Sequence, residues 1–251
     1  MSQTREYVQD NQPDGVPPLA LTGERTLPDV PEENYWYRRH LAVYEWVADR
    51  CTGLNVVDMA CGEGYGSAVL ARRARAVTGV DANPEALEHA RLKYSRPGVR
   101  FVRDLIERHE QPCEAIVFLQ TIEHVEDPVA LLRRFKDMAD TVFVSTPNLL
   151  TLAPPGAEKS DNPWHLREYR VEEFRSMCQE AAAKVELLGL FHARKLRVHE
   201  LALRAGWDRV HGALRITEPF YDRFVPAISA RDFVLRGDRL ERALDFVAVL
   251  R

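Results

Sequence analysis

The chain has no Cys-x-x-Cys pair. Its four cysteines, Cys51, Cys61, Cys113 and Cys178, lie far apart, which removes the signature of a zinc or dithiol redox site and predicts free buried thiols in a reducing cytoplasm. No run of about 18 apolar residues offers a membrane span. Arg5, Glu6, Asp10 and Asp14 precede any apolar run, so a signal peptide is not expected either. Excess positive charge is missing too: a net charge of −4 draws in neither nucleic acid nor an anionic lipid surface at long range. Arginine clusters such as Arg38-Arg39-His40 and Arg72-Arg73-Ala74-Arg75 act only locally, the second most simply as a solvated helix face. There are no internal repeats.

What is present is the composition of a soluble globular protein. A hydrophobic fraction of 45% in 251 residues suffices for a sizeable core. Residues 1–20 hold three prolines among polar neighbours and show no periodicity, which predicts a mobile tail before one domain over 21–251. From Glu32 to Arg50 two adjacent helical rows are apolar, Tyr37, Leu41, Tyr44 and Ala48 beside Trp36, Val43 and Val47, the pattern of an amphipathic leading helix.

Short apolar runs then alternate with helical segments, as in a parallel sheet covered on both faces. The strands read Asn55 to Met59, Ala76 to Val80, Val99 to Val102, Ala115 to Leu119 and Thr141 to Ser145, with two more at Lys184 to Phe191 and Leu244 to Leu250. Asn83-Pro84 and Asp127-Pro128 each place an N-cap residue before a proline suited to the first helical position. A helix from Val171 to about Ala183 precedes the last two strands. Between those strands, residues 194–241 form an insertion long enough for a lid or a partner surface, such as that of a homodimer.

The first strand runs into Gly62-x-Gly64-x-Gly66, and a turn without side chains brings the main chain close to a ligand. A dinucleotide turn would place its third glycine one residue later, facing a helix N-terminus to phosphate. A ligand without phosphate fits better.

Val57-Asp58-Met59-Ala60-Cys61-Gly62-Glu63-Gly64-Tyr65-Gly66 resembles motif I of the class I S-adenosylmethionine-dependent methyltransferases. The resemblance covers roughly residues 50–150 and the last two strands. It implies an α/β, Rossmann-like fold with a seven-stranded mixed sheet, helices on both faces and a lid insertion before the last strand. It also implies S-adenosylmethionine as cofactor, held by Asp58, Gly62, Gly64, Asp81, Ala82, Asp104, Leu105 and Gln120. In that family the acid ending the second strand, here Asp81, accepts from the ribose hydroxyls, and Asp104 matches the acid facing the adenine amino group. Arg39 of the leading helix is a candidate partner for the methionine carboxylate.

After the fourth strand, Gln120-Thr121-Ile122-Glu123-His124 stands where the family places catalytic groups. If these residues make one helical turn, Gln120, Glu123 and His124 share a face. His124, with an ordinary pKa of about 6.5, is the candidate base for a hydroxyl acceptor, with Glu123 beside it. The bland alternative is a histidine that only fixes its loop. A subset of methyltransferases carries Glu-x-x-Glu-His with a later histidine as ligands for a divalent ion. This chain is similar but has Gln120 in the first acid's place, leaving Glu123, His124 and His165. Losing a carboxylate weakens a magnesium-type site.

Thr22 to Asp29, Glu33 to His40 and Asn162 to Tyr169 resemble segments of sugar and polysaccharide O-methyltransferases, including those of methylated glucose lipopolysaccharides. The implied acceptor contacts are Tyr35, Trp36, Trp164, His165 and Arg167, since glycan faces stack on rings while hydroxyls take hydrogen bonds. Trp36 and Trp164 can equally dock the helix on the core. A small phenol or quinone precursor is the second acceptor class. A module that holds the cofactor without transferring methyl is the non-enzymatic alternative.

Overall fold

The computed structural model describes residues 7–23, 25–154, 156–204, 207 and 218–251. Positions 1–6 of the expected tail, Glu24, Pro155 and, in the insertion, residues 205, 206 and 208–217 lie outside the described residues.

Among the described residues one mixed sheet has eight strands in the order β3-β2-β1-β4-β5-β8-β6-β7. The parallel half comprises β1 (Asn55–Met59), β2 (Ala76–Asp81), β3 (Val99–Arg103), β4 (Cys113–Leu119) and β5 (Ala139–Pro147). β6 (Val185–His192), β7 (Phe233–Arg236) and β8 (Asp245–Leu250) complete it antiparallel. The eighth strand, β7, was not expected. It lies inside the insertion and extends the sheet edge beyond β6.

Helices cover both faces because the central strands are apolar on both sides. On one face α4 (Pro128–Met138) and, after the short α5 (Leu149–Leu152), α6 (Val171–Ala181) press Leu132, Phe135 and Phe174 against Met59, Phe118 and Phe246. On the other, α1 (Asn34–Arg50) and α2 (Tyr65–Leu70) press Val43, Val47 and Leu70 against Val56, Val117 and Val247. α3 (Pro84–Tyr94) lies over β3, with Leu87 and Ala90 on Phe101. Both expected N-caps form: Asn83 accepts from the amides of Glu85 and Ala86 at 3.0 Å, and Asp127 from that of Ala130 at 3.0 Å.

Two expectations change. Residues 7–20 do not trail away as a tail but fold with 21–30 into a strap. Gln9 donates to the Leu19 carbonyl at 3.1 Å, Leu21 to that of Tyr7 at 2.8 Å and Asp10 to that of Asp29 at 2.8 Å, while Val16, Leu27 and Val30 are buried. The physical reason is long-range anchoring: the ring of His89, in α3, donates from Nδ1 to the Pro17 carbonyl at 2.8 Å, and Lys93 pairs with Asp29 at 3.0 Å. The insertion, for its part, packs α7 (Arg194–Arg204), α8 (Glu218–Phe224) and β7 along α1, through Leu196, Ile228 and Phe233. Among its described residues none borders the ligand cleft, so it flanks the sheet edge where a lid was expected.

Candidate functional site

A cleft of about 970 Å³ opens at the carboxyl ends of the parallel strands, where open α/β sheets place their ligands. It is bordered by the turns after β1 and β4, by the ends of β2 and β5, by α1 and the strap, and by residues within 152–154 and 160–166.

The glycine turn serves two purposes. Gly62 borders the cleft with φ +56°, and its amide donates to Asp81 Oδ2 at 2.7 Å. Asp81 Oδ1 accepts from the Asn83 amide at 2.8 Å, so this carboxylate ties the turn to the end of β2. Gly64 and Gly66 are needed for packing. A Cβ on Gly64 would stand 2.8 Å from the Ala90 Cβ, and one on Gly66 only 2.2 Å from the Tyr44 ring. The tight approach expected from a ligand is thus made at these two positions by the protein's own side chains.

Asp58 needs the same correction. It is fully buried below the turn, accepting from the Tyr44 hydroxyl at 3.2 Å and from Ser67 at 2.7 Å, and it does not border the cleft. Burial raises its pKa to about 7, against the lowering effect of the Ser67 and Tyr44 hydrogen bonds. The folded state therefore holds this proton well above the ordinary carboxyl range. The stability it contributes is full below the unfolded pKa and is lost as the pH rises through about 7. Urea titrations from pH 4.5 to 8 should show wild-type stability falling more steeply with pH than that of Asp58→Asn. Parallel curves would remove the buried proton from Asp58.

Ala82, which follows β2, and Asp104 and Leu105, which follow β3, do not border the cleft. Asp104 accepts from the Leu105 amide at 2.9 Å and pairs with His109 at 3.1 Å, and the His109 hydrogen bond holds its carboxyl below the usual range.

After β4 the chain does not make the expected single helical turn. Gln120 adopts a left-handed φ of +54° and donates its side-chain amide to Ser145 at 3.0 Å; only Ile122–His124 coil, as a 3-10 turn. Gln120, Glu123 and His124 all border the cleft, but Gln120 lies outside the helical turn that carries the other two. Glu123 is buried, accepts from the Thr146 hydroxyl at 3.1 Å, and burial raises its pKa to about 8, so it is a carboxylic acid at neutral pH. The Trp164 carbonyl takes a hydrogen bond from His124 Nδ1 at 2.7 Å, which puts the neutral ring's lone pair on Nε2. His165, edge-on to His124 with ring centroids 5.1 Å apart, donates from Nδ1 to Glu168 at 2.7 Å. Burial pushes the Glu168 carboxyl up, but the hydrogen bonds from Ser160 and His165 outweigh it and hold it below its usual range. Ligating atoms of Glu123, His124 and His165 all lie within 4.8 Å of one another.

Trp36 and Trp164 border the cleft and are 37% and 48% exposed. Three expected contacts are engaged elsewhere. Arg39 is buried and forked onto Asp245, at 2.7 and 2.5 Å, with a further bond to the Leu244 carbonyl at 2.6 Å, so it is not available to a cofactor carboxylate. The Tyr35 hydroxyl bonds His192 at 2.8 Å on the insertion side of α1. Arg167 lies over the Tyr169 ring at 5.2 Å, away from the cleft.

Arg25 and Thr26 of the strap, His40 and Tyr44 of α1, and Ser145 of β5 border the cleft without having been singled out. For the α1 pair a signal existed: Trp36, His40, Val43 and Tyr44 repeat at one helical face. Burial lowers the His40 pKa to about 4, so it is neutral.

With this geometry in view, comparisons with known proteins are informative. Residues 32–201 match the family model of a methyltransferase domain. A probable S-adenosylmethionine-dependent methyltransferase of Mycolicibacterium smegmatis is 35% identical over 254 residues, 94% of this chain and 97% of that protein. Another, of Mycobacterium tuberculosis, is 40% identical over 185 residues, 71% of this chain and 67% of its own length. A ubiquinone biosynthesis O-methyltransferase of Xylella fastidiosa is 33% identical over 120 residues, 43% of this chain and 49% of that one. The crystal structure of a SAM-dependent methyltransferase, possible histamine N-methyltransferase, from Thermotoga maritima shares the fold with a TM-score of 0.57 at 14% identity, covering 87% of this chain and 94% of the other. A Rossmann-like sheet, a glycine turn tied to the acid ending β2 and these relatives together make the chain a member of the S-adenosylmethionine-dependent methyltransferases.

Proposed function

We propose that the enzyme methylates a hydroxyl of a sugar or glycan precursor. The observation that carries this reading is a cleft bordered both by His124 and by the partly exposed Trp36 and Trp164. Aromatic walls with polar groups between them suit a glycan, whose apolar faces stack while its hydroxyls are hydrogen-bonded. The cleft's volume has room for an acceptor beside a cofactor.

Bound S-adenosylmethionine supplies a methyl group on a sulfonium that already carries its own leaving group. The residues contribute alignment and a proton acceptor. The Trp164 carbonyl holds the His124 ring so that the Nε2 lone pair can take the acceptor's hydroxyl proton. Glu123, protonated at neutral pH, serves there as a hydrogen-bond donor. Replacing His124 by alanine should lower turnover by about 10²–10⁴-fold with cofactor affinity unchanged. Near-normal turnover would remove His124 as the base. Sugar and phenolic acceptors assayed side by side for methylated product test the acceptor class. The phenolic alternative is favoured by the stretch of likeness to a ubiquinone biosynthesis O-methyltransferase.

A second reading of the same residues is a divalent cation held by Glu123, His124 and His165. The His165–Glu168 hydrogen bond is the outer-shell arrangement that orients a ligating histidine. Two imidazoles and one carboxylate suit zinc or manganese better than magnesium, which prefers oxygen alone. The two readings exclude each other at one atom, because His124 Nε2 cannot hold a cation and take a proton together. Turnover that survives a strong chelator favours the base.

A further inference from the structure

We propose that the outward face of α7, in the insertion, docks the enzyme on an anionic lipid surface. The inference is independent of which acceptor is methylated.

Most of the circumference of α7 is already occupied. Leu196 is buried in the core shared with α1. The His199 ring packs on Phe220 and Phe224 of α8, with centroids 6.5 and 5.0 Å apart, and Glu200 pairs with His192 at 3.2 Å. Lys195 turns back to Asp232 at 3.3 Å. One side remains. At 3.6 residues per turn, Arg194, Arg197, Val198 and Leu201 fall within about 100° of arc, away from Leu196. Val198 and Leu201 are 68% and 58% exposed. Arg194 and Arg197 are exposed beside them and have no ion-pair partner among the described residues. A lone exposed leucine means nothing, but two aliphatic side chains one turn apart, flanked by unpaired arginines, form a patch with a purpose.

Charge and shape select what covers it. Four basic residues and one acid make α7 strongly positive in a chain whose net charge is −4, so the sign is local and hidden in the total. A second copy of the chain would bring the same arginines against these, and like charges repel. Nucleic acid would match the arginines but give Val198 and Leu201 nothing apolar to meet. A protein partner needs on the order of 20 residues a side in matched relief, and four side chains on a convex helix supply only a fraction of that. A lipid surface requires no matched relief. Aliphatic side chains enter the boundary of the acyl chains, while arginine stems lie along it and hold their guanidinium groups at the phosphates. Among the described residues no helix is long and apolar enough to cross a membrane, so contact through this face is peripheral. Docking there uses no described residue that borders the cleft.

Vesicle flotation of the full chain tests the proposal. Wild type should float with vesicles of phosphatidylcholine mixed with phosphatidylglycerol, stay behind with phosphatidylcholine alone, and be released by about 0.5 M salt, where screening is short-ranged. Arg194→Gln with Arg197→Gln should weaken binding to the mixed vesicles about 10–30-fold. Val198→Gln with Leu201→Gln should weaken it about 10-fold or more. Both pairs should keep wild-type thermal melting and S-adenosylhomocysteine affinity; if the second melts early, Val198→Ala with Leu201→Ala takes its place. Absence of binding to the mixed vesicles, equal binding to neutral ones, or affinity that neither pair changes would overturn the proposal. Two further results would overturn it by reassigning the face: single-stranded RNA bound as tightly and lost with the arginine pair alone, or a dimer in solution broken by the Val198 and Leu201 changes. Every one of these outcomes leaves the hydroxyl-methylation proposal standing, and a failed acceptor assay leaves the lipid contact untouched.

Discussion

Asp81→Ala is expected to lose S-adenosylhomocysteine affinity by about 100-fold or more, the sum of two effects that each follow from charge-assisted hydrogen bonding. The first is direct. An ionised carboxylate offers only acceptors, the complement of a ribose diol, and Asp81 borders the cleft at the end of β2. The second acts through the turn, because Asp81 is the acceptor for the Gly62 amide at 2.7 Å and the Asn83 amide at 2.8 Å. Without it the turn loses the bond that sets its height against β2. Asp81→Asn should fall between, since one carbonyl oxygen remains but the new amide presents hydrogens to a donor. Calorimetry with circular dichroism as the folding control measures both. Affinity within about threefold of wild type for the alanine variant would end the ribose assignment.

Breaking the Arg39–Asp245 pair should give the largest loss of stability, about 3–5 kcal/mol for either single alanine variant, because a buried partner is left with its charge uncompensated. The pair is among the most enclosed on the chain, at 4% and 1% exposure, and it joins the middle of α1 to the start of β8 across 206 residues of sequence. Asp245→Ala strands a guanidinium that keeps the Leu244 carbonyl and the face of the Trp36 ring but no counter-charge. Arg39→Met combined with Asp245→Leu should cost far less than the two single changes added together, since an apolar pair needs no counter-charge. Urea unfolding of the wild type, Arg39→Met, Asp245→Leu and the double variant provides the cycle. Additive losses would show that the two residues act separately.

Much of the framework is legible in the sequence for a simple reason. The parallel strands are covered on both faces, so each reads as an unbroken apolar run, and Asn83-Pro84 and Asp127-Pro128 announce their helices with local chemistry. β7 is not legible because it is four residues long and is placed by long-range contacts, pairing with β6 and packing on α1 through Phe233. The strap was misread because its order comes from His89 and Lys93, dozens of residues away, and local periodicity does not record such anchors. At the cleft, Gly62, Asp81, Glu123, His124 and His165 were found because they sit at strand ends or in their own short motifs. Arg39 was misplaced because nothing near it reveals that Asp245 claims it. Tyr35 and His40 show the limits of helical phase: five residues apart, they stand about 140° from each other around α1, so they serve different faces and only His40 borders the cleft.

The ring of Phe101 has a wider reach than its place in β3 suggests. It closes on Gly64 at 3.0 Å and on Gly79 at 2.6 Å from where a Cβ would be built. Two positions that look independent along the chain therefore share one aromatic neighbour. Trimming that residue to leucine or valine would open space beside both at once, yet the Ala90 Cβ at 2.8 Å and a φ of +96° would still bar a side chain at 64, and Ser67 Oγ at 2.8 Å would still crowd 79. Drift or directed evolution at either glycine must therefore wait for more than one neighbour to give way.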